Sequence, residues 1–144
     1  MSDFVWIRHE FPWVGHGFIH PANQEAADLV RTRLHELGFT LFELQGKQMT
    51  DAHSLHAELS REFGFPDYYG HNWDAFNDSW GDVEPSLPSP AAILWHHADV
   101  AAAAGLQLYS ECISMLTRAS EEMSARSKQM VLFLFGDGEQ FPRP

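Results

Sequence analysis

An α/β fold, a small three-stranded parallel sheet packed with helices, is what this sequence predicts, on three observations. Met130 to Phe135 is a continuous apolar run, the pattern of a strand covered on both faces. The segments order as strand, two helices, strand, helix, strand, which is an α/β alternation. The connections between the strands are long enough for the right-handed crossovers that parallel strands require.

Taken in order, the segment from Asp3 to His20 mixes aromatic and β-branched residues around Pro12 and Gly15-His16-Gly17. It reads either as a hairpin or as an extended arm. From Ala22 to Leu37 the apolar positions Ala26, Leu29, Val30, Leu34 and Leu37 form one helical stripe, and Gly38 is placed to end it. Phe39 to Gln45 reads as the first strand. Thr50 or Asp51 can cap a helix with the stripe Ala52, Leu55, Leu59 and Phe63, closed by Pro66. A Tyr68-Tyr69-Gly70 turn leads into a helix over Asn72 to Asp82, with Asn72 as its N-cap. Glu84 to Pro90 holds three prolines and reads as a loop. Ala91 to Trp95 is a short buried strand. Asp99 is placed to cap a long helical region with the stripe Tyr109, Cys112, Ile113, Leu116 and Met123, which Gly105 can break. After the final strand, Gly136 to Pro144 is irregular.

The chain has 144 residues, enough for one domain with a sizeable core, and a formal charge of −11. Such a surface repels phosphate backbones and anionic membranes, which disfavours direct nucleic-acid or lipid-surface binding and makes a basic protein the natural partner. Between Arg61 and Arg118 there is no Lys or Arg, yet Glu62, Asp67, Asp74, Asp78, Asp82, Glu84, Asp99 and Glu111 all fall there. The single cysteine, Cys112, excludes an intramolecular disulfide and sits in an apolar helical pattern. The start Met1-Ser2-Asp3 carries no basic n-region, and no apolar run is long enough to cross a bilayer. The expected setting is the reducing cytosol.

The richest segment is Phe65 to Trp80. On its helix Trp73, Phe76 and Trp80 share one face, while Asp74, Asp78 and Asp82 share the other. Like charges four apart cost a helix roughly 0.2–0.5 kcal/mol per pair, so the acidic face points to a cationic partner. Tyr68 and Tyr69 offer rigid aromatic area of the kind enriched at interface hot spots, and one of the two is expected to pack beneath the turn.

Enzymatic readings find little support. Asp74 and Asp78 lie one turn apart on a solvated face and should ionise alike, whereas a catalytic acid–base pair needs contrasting environments. Nine histidines include the pairs His16/His20, His53/His56 and His96/His97, but none has a His-Glu-x-x-His pattern or a Cys partner, and surface histidine is the reading of each. His71, beside the acidic helix, is placed either to chelate or to contact a partner. Ser79 and Cys112 lack a nucleophile context, and Gly136-x-Gly138 precedes Pro142 rather than a helix. No metal, cofactor or catalytic residue is expected.

The string Phe65-Pro66-Asp67-Tyr68-Tyr69-Gly70-His71-Asn72-Trp73-Asp74-Ala75, followed by Asp78 and preceded by Leu55 and Leu59, resembles the barstar family of intracellular ribonuclease inhibitors. The element order from Phe39 to Phe135 resembles that family too. The resemblance leaves residues 1–38 aside, as an added arm and helix packed on a barstar-like domain of residues 39–144. It implies a stoichiometric inhibitor rather than an enzyme: an immunity protein whose acidic helix and aromatic turn block a basic ribonuclease toxin, carboxylates standing where substrate phosphates bind. By the same resemblance Tyr68 gives the aromatic contact, Gly70 lets backbones approach, Asp74 pairs with an active-site cation, and Asp78 sits deepest as the phosphate mimic. The partner-binding set is completed by His71, Asn72 and Asn77. The sequence departs from the family at Asn77, where barstar has a tryptophan, and at Ser79, where it has a cysteine. A further acidic contact from the later helix falls on Glu111, Glu121 or Glu122. The alternative is a barstar-like scaffold that binds another basic protein without inhibiting it. A monomer is expected.

Overall fold

The computed structural model describes residues 4–15 and 17–144, so Met1, Ser2, Asp3 and His16, and with them the His16/His20 pair, lie outside the described residues. Among the described residues, and besides three short 3-10 turns, the α-helices and β-strands in chain order are α1 (Ile7–Glu10), β1 (Ile19–Asn23), α2 (Ala27–Glu36), β2 (Thr40–Gln45), α3 (Ala52–Phe63), α4 (Trp73–Val83), β3 (Ala91–His96), α5 (Ala98–Ala104), α6 (Leu106–Ala125) and β4 (Met130–Gly136). The strands form one parallel sheet in the order β1-β4-β3-β2.

The sheet therefore has four strands, not three. The extra one is β1, from the segment read as a hairpin or arm together with the first residues assigned to the following helix. Pro21 in a five-residue run argues against a strand, but an edge strand tolerates proline because one side of its backbone has no partner to serve.

Side-chain alternation in the two central strands divides the core. Ala91, Ile93, Trp95, Met130, Leu132 and Leu134 face one cluster, under α3 to α6. Ala92, Leu94, Val131, Phe133 and Phe135 face the other. That second face is covered by Val30 and Leu34 of α2 and by Ile7, Phe11 and Val14 from the segment around α1. Both faces of β3 and β4 are thus buried, which is why these strands read as unbroken apolar runs.

The helices keep their expected places with local changes. In α2, Leu29 is 66% exposed, because the apolar stripe is narrower than its sequence periodicity suggests. Ala52, likewise assigned to a stripe, is exposed at the start of α3. Asp51 caps α3 in a capping box, its carboxylate accepting from Ser54 N–H at 2.8 Å. The helix is stopped by Gly64, in the left-handed region at φ +71°, before Pro66 is reached. Asp99 does not cap α5; the helix begins one residue earlier, after His97 at φ +49°. Gly105 does separate α5 from α6. Among the described residues no helix is long and apolar enough to cross a membrane.

Two further contacts fix the edge strand β2. The backbone N–H of Glu43 donates to Glu62 at 2.7 Å, and that of Gln45 donates to Glu58 at 2.8 Å, so two α3 carboxylates hold the strand's outer side. Arg61 in turn pairs with both carboxylates. Just after β2 the chain passes so close to β3 that a Cβ on Gly46 would run into the carbonyl oxygens of His97 and His96, the latter at 2.5 Å. Backbone cannot yield as a flexible side chain can. Gly46→Ala is expected to cost about 3 kcal/mol or more, the upper range of overpacking, read as a lowered denaturation midpoint in urea.

Candidate functional site

The Phe65–Trp80 segment forms one continuous surface built on α3 and α4. Asn72 caps α4: its side-chain oxygen accepts from Ala75 N–H at 2.8 Å, and its amide donates to Gly70 O at 3.1 Å. Both ends of that side chain serve the turn. Phe76 and Trp80 are buried, with Trp80 edge-on to Phe63 of α3 at 5.2 Å. This apolar face fixes the rotation of α4 and leaves Asp74, Asp78 and Asp82 on the exposed side, together with Asn77.

The two tyrosines separate. Tyr69 is 5% exposed and packs on Phe65, whereas Tyr68 is 85% exposed. Buried Tyr69 is pinned by His56 of α3, whose Nδ1 lies 2.6 Å from its hydroxyl. Tyr68 therefore projects from a turn whose next residue is anchored. Gly70 is exposed, and a Cβ there would press on Ala75 Cβ at 3.3 Å, so the turn lies close against the first turn of α4. His71, at φ +53°, donates from Nδ1 to Tyr69 O at 2.9 Å and stacks on His53 with ring centroids 4.6 Å apart. His53 thus joins the surface from α3, a neighbour that spacing along the chain gave no reason to connect with the turn.

His20, His56 and His96 are buried, not surface, histidines. His96 meets Glu43 at 2.7 Å and Gln24 at 3.2 Å, which lets its ring lie inside the protein. Burial, reinforced by the charge of nearby His71, lowers His56 to about 4 from the ordinary 6.5. His20 is lowered to about 4 by burial alone. For both groups the unfolded chain takes up a proton that the folded chain refuses, so the stability is complete above about pH 6.5 and is lost as pH falls towards 4. Each can contribute up to roughly 3 kcal/mol across that window. Thermal unfolding is expected to show a falling midpoint between pH 6.5 and 4, with a shallower slope in His56→Gln.

The charge around the site is one-sided. Arg31, Arg33, Arg61, Arg126 and Lys128 are each held by carboxylates away from the turn. Among the described residues, Asp67, Asp74, Asp78 and Asp82 have no ion-pair partner. Of the three carboxylates in range on α6, Glu111 reaches α4: it accepts from Trp73 Nε1 at 3.2 Å. Glu121 and Glu122 lie ten and eleven positions on, roughly 15 Å along the helix axis, and Glu122 faces Arg118. Among the described residues no group of three or more His, Cys, Asp or Glu side chains is arranged to hold a metal ion. The Cys112 thiol is fully buried, which pushes its pKa up and keeps it from acting as a nucleophile.

The arrangement can place several carboxylates, one projecting phenol and a bare stretch of backbone against a cationic surface. It brings Tyr68, Gly70, His71, Asn72, Asp74, Asn77 and Asp78 together on one turn and helix face. In comparisons with known proteins, a family model described as Barstar (barnase inhibitor) matches residues 39–135. No curated protein matches the chain.

Proposed function

The chain belongs to the barstar family, a family of protein inhibitors of ribonucleases, and from that premise we propose that it is a stoichiometric inhibitor of a basic ribonuclease, acting as an immunity protein against a secreted toxin. One observation carries the reading. Among the described residues the carboxylates of Asp74, Asp78 and Asp82 have no ion-pair partner and stand on one exposed helix face beside projecting Tyr68, while most of the cations are held by other carboxylates.

In this reading α4 docks into the cleft where the enzyme binds RNA. Asp78 and Asp74 take the places of substrate phosphates and bond to the Lys and Arg side chains there, while Glu111 supplies the further acid from α6. Charge-assisted bonds of this kind are strong because both groups lose competing water. Tyr68 covers an apolar part of the cleft, and Gly70 lets the partner's backbone come close. His71 and Asn72 shape the turn, each with a side-chain bond to its carbonyls.

The test is a titration of a cognate basic ribonuclease, with RNA hydrolysis as readout. Inhibition is expected to be complete at one-to-one stoichiometry, and raising salt from 50 to 500 mM is expected to slow association at least tenfold. A cognate nuclease that stays active at saturating inhibitor would exclude the reading.

Asn77 favours a second reading. It is exposed between Asp74 and Asp78, where the family has tryptophan, so an apolar shelf beside the principal carboxylate is absent. The scaffold would then hold a basic protein that is not a nuclease, and affinity capture from the native host would return that partner without nuclease activity.

A further inference from the structure

Within the partner-binding turn, one short stretch lies between two anchored residues and is not held by the core. Tyr69 is pinned by His56, and Asn72 caps α4. Gly70 is exposed and carries no side chain, so the residue that closes the gap is His71. Its backbone sits in the left-handed region at φ +53°, which disfavours any residue with a Cβ. Next to a flexible glycine, a strained residue of this kind relaxes into other shapes unless its side chain is held.

Two kinds of contact hold it. Nδ1 donates to Tyr69 O at 2.9 Å, a bond within the turn itself. From outside the turn, the His71 ring lies flat on His53 of α3, with centroids 4.6 Å apart and planes 8° apart. It also meets the edge of His56, at 6.4 Å. His53 has no other task in the fold. It is exposed in the first turn of α3 and, among the described residues, its ring has no hydrogen bond or ion pair and stacks on His71 alone.

We propose that His53 is a positioning residue for partner recognition: stacked on His71, it holds the turn of residues 68–72 in its binding shape before the partner arrives. A surface held ready binds more tightly, because the apparent Kd rises as the competent fraction falls. The effect on affinity rests on the inhibitor reading, whereas the order of the turn is a property of the free chain.

The test compares His53→Ala with His53→Phe, which keeps a flat ring, both in the full chain. In free His53→Ala the ¹⁵N order parameters of residues 68–72 are expected to fall from about 0.85 to below about 0.6, while those of β3 and β4 stay level. Affinity for the cognate basic ribonuclease is expected to fall about three- to tenfold, the worth of one aromatic pair, with the unfolding midpoint nearly unchanged. His53→Phe is expected to restore the order parameters, and the affinity to within about twofold. Unchanged order parameters in His53→Ala, an affinity that does not move, or a loss that His53→Phe does not recover would each overturn the proposal. A chain that inhibits no basic ribonuclease would sink the inhibitor reading alone, and the order parameters of the free chain would still decide the role of His53.

Discussion

Asp78→Ala is expected to weaken the complex with a basic ribonuclease by roughly 2–5 kcal/mol, about thirty-fold to several thousand-fold in Kd. The cost has two sources. The carboxylate's bonds to the enzyme are lost, and the enzyme's cations are left buried without a counter-charge. The free protein tells a different story. Asp78 supports nothing within the fold, since among the described residues it has no ion-pair partner and lies on the exposed side of α4. Removing it relieves repulsion from Asp74 and Asp82, so the unfolding midpoint should stay level or rise slightly. Glu122→Ala, which removes only an exposed contact with Arg118, should leave affinity within a factor of about two. Calorimetric titration alongside thermal unfolding separates these effects. Unchanged affinity in Asp78→Ala, at a confirmed inhibitory pair, would move the site elsewhere on the surface.

Deleting residues 1–38 is expected to abolish the folded monomer. The deletion strips β1 and α2 from the sheet and opens Ala92, Leu94, Val131, Phe133 and Phe135 to water. Each large side chain uncovered forfeits about 1.5–3 kcal/mol, so Leu94, Val131, Phe133 and Phe135 together forfeit about 6–12 kcal/mol, as much as the usual stability of a small domain. The truncated chain should be recovered as aggregate, or as a species without near-ultraviolet circular dichroism. A finer probe is available within α2. Leu34→Ala, at a fully buried position, should cost about 2–5 kcal/mol, whereas Leu29→Ala should cost less than about 0.5 kcal/mol. A soluble, cooperatively folded deletion variant would show that residues 39–144 can bury that face without help.

The parts of the fold that were legible in the sequence are those with strong local signals. The amphipathic period of α4, the Asn72 cap and the all-apolar β4 each follow from residues close in the chain. What escaped was non-local. β1 has little strand character of its own, and it exists because β4 offers it a partner well over a hundred residues later. Burial of His56 and His96 depends on Tyr69 and Glu43, which no pattern around either histidine announces. In the candidate site, the acidic face and the exposed tyrosine could be read from periodicity and the turn. The contact between Trp73 and Glu111, and the stacking of His53 on His71, required the packing of α6 and α3 against that turn.

The glutamates that grip β2 have a consequence for how this molecule can meet others. A parallel sheet with open ends invites a foreign strand to join its hydrogen-bond ladder. Here Glu58 and Glu62 already occupy two outward N–H groups at the β2 end. At the β1 end, Pro21 has no N–H to give, and Asn23 N–H donates to Pro142 O at 2.9 Å. With several outward positions closed at each border, self-templated assembly is disfavoured and recognition falls to side chains displayed by helices. That closure leaves the helix faces, the acidic one of α4 among them, as the surfaces open to a partner.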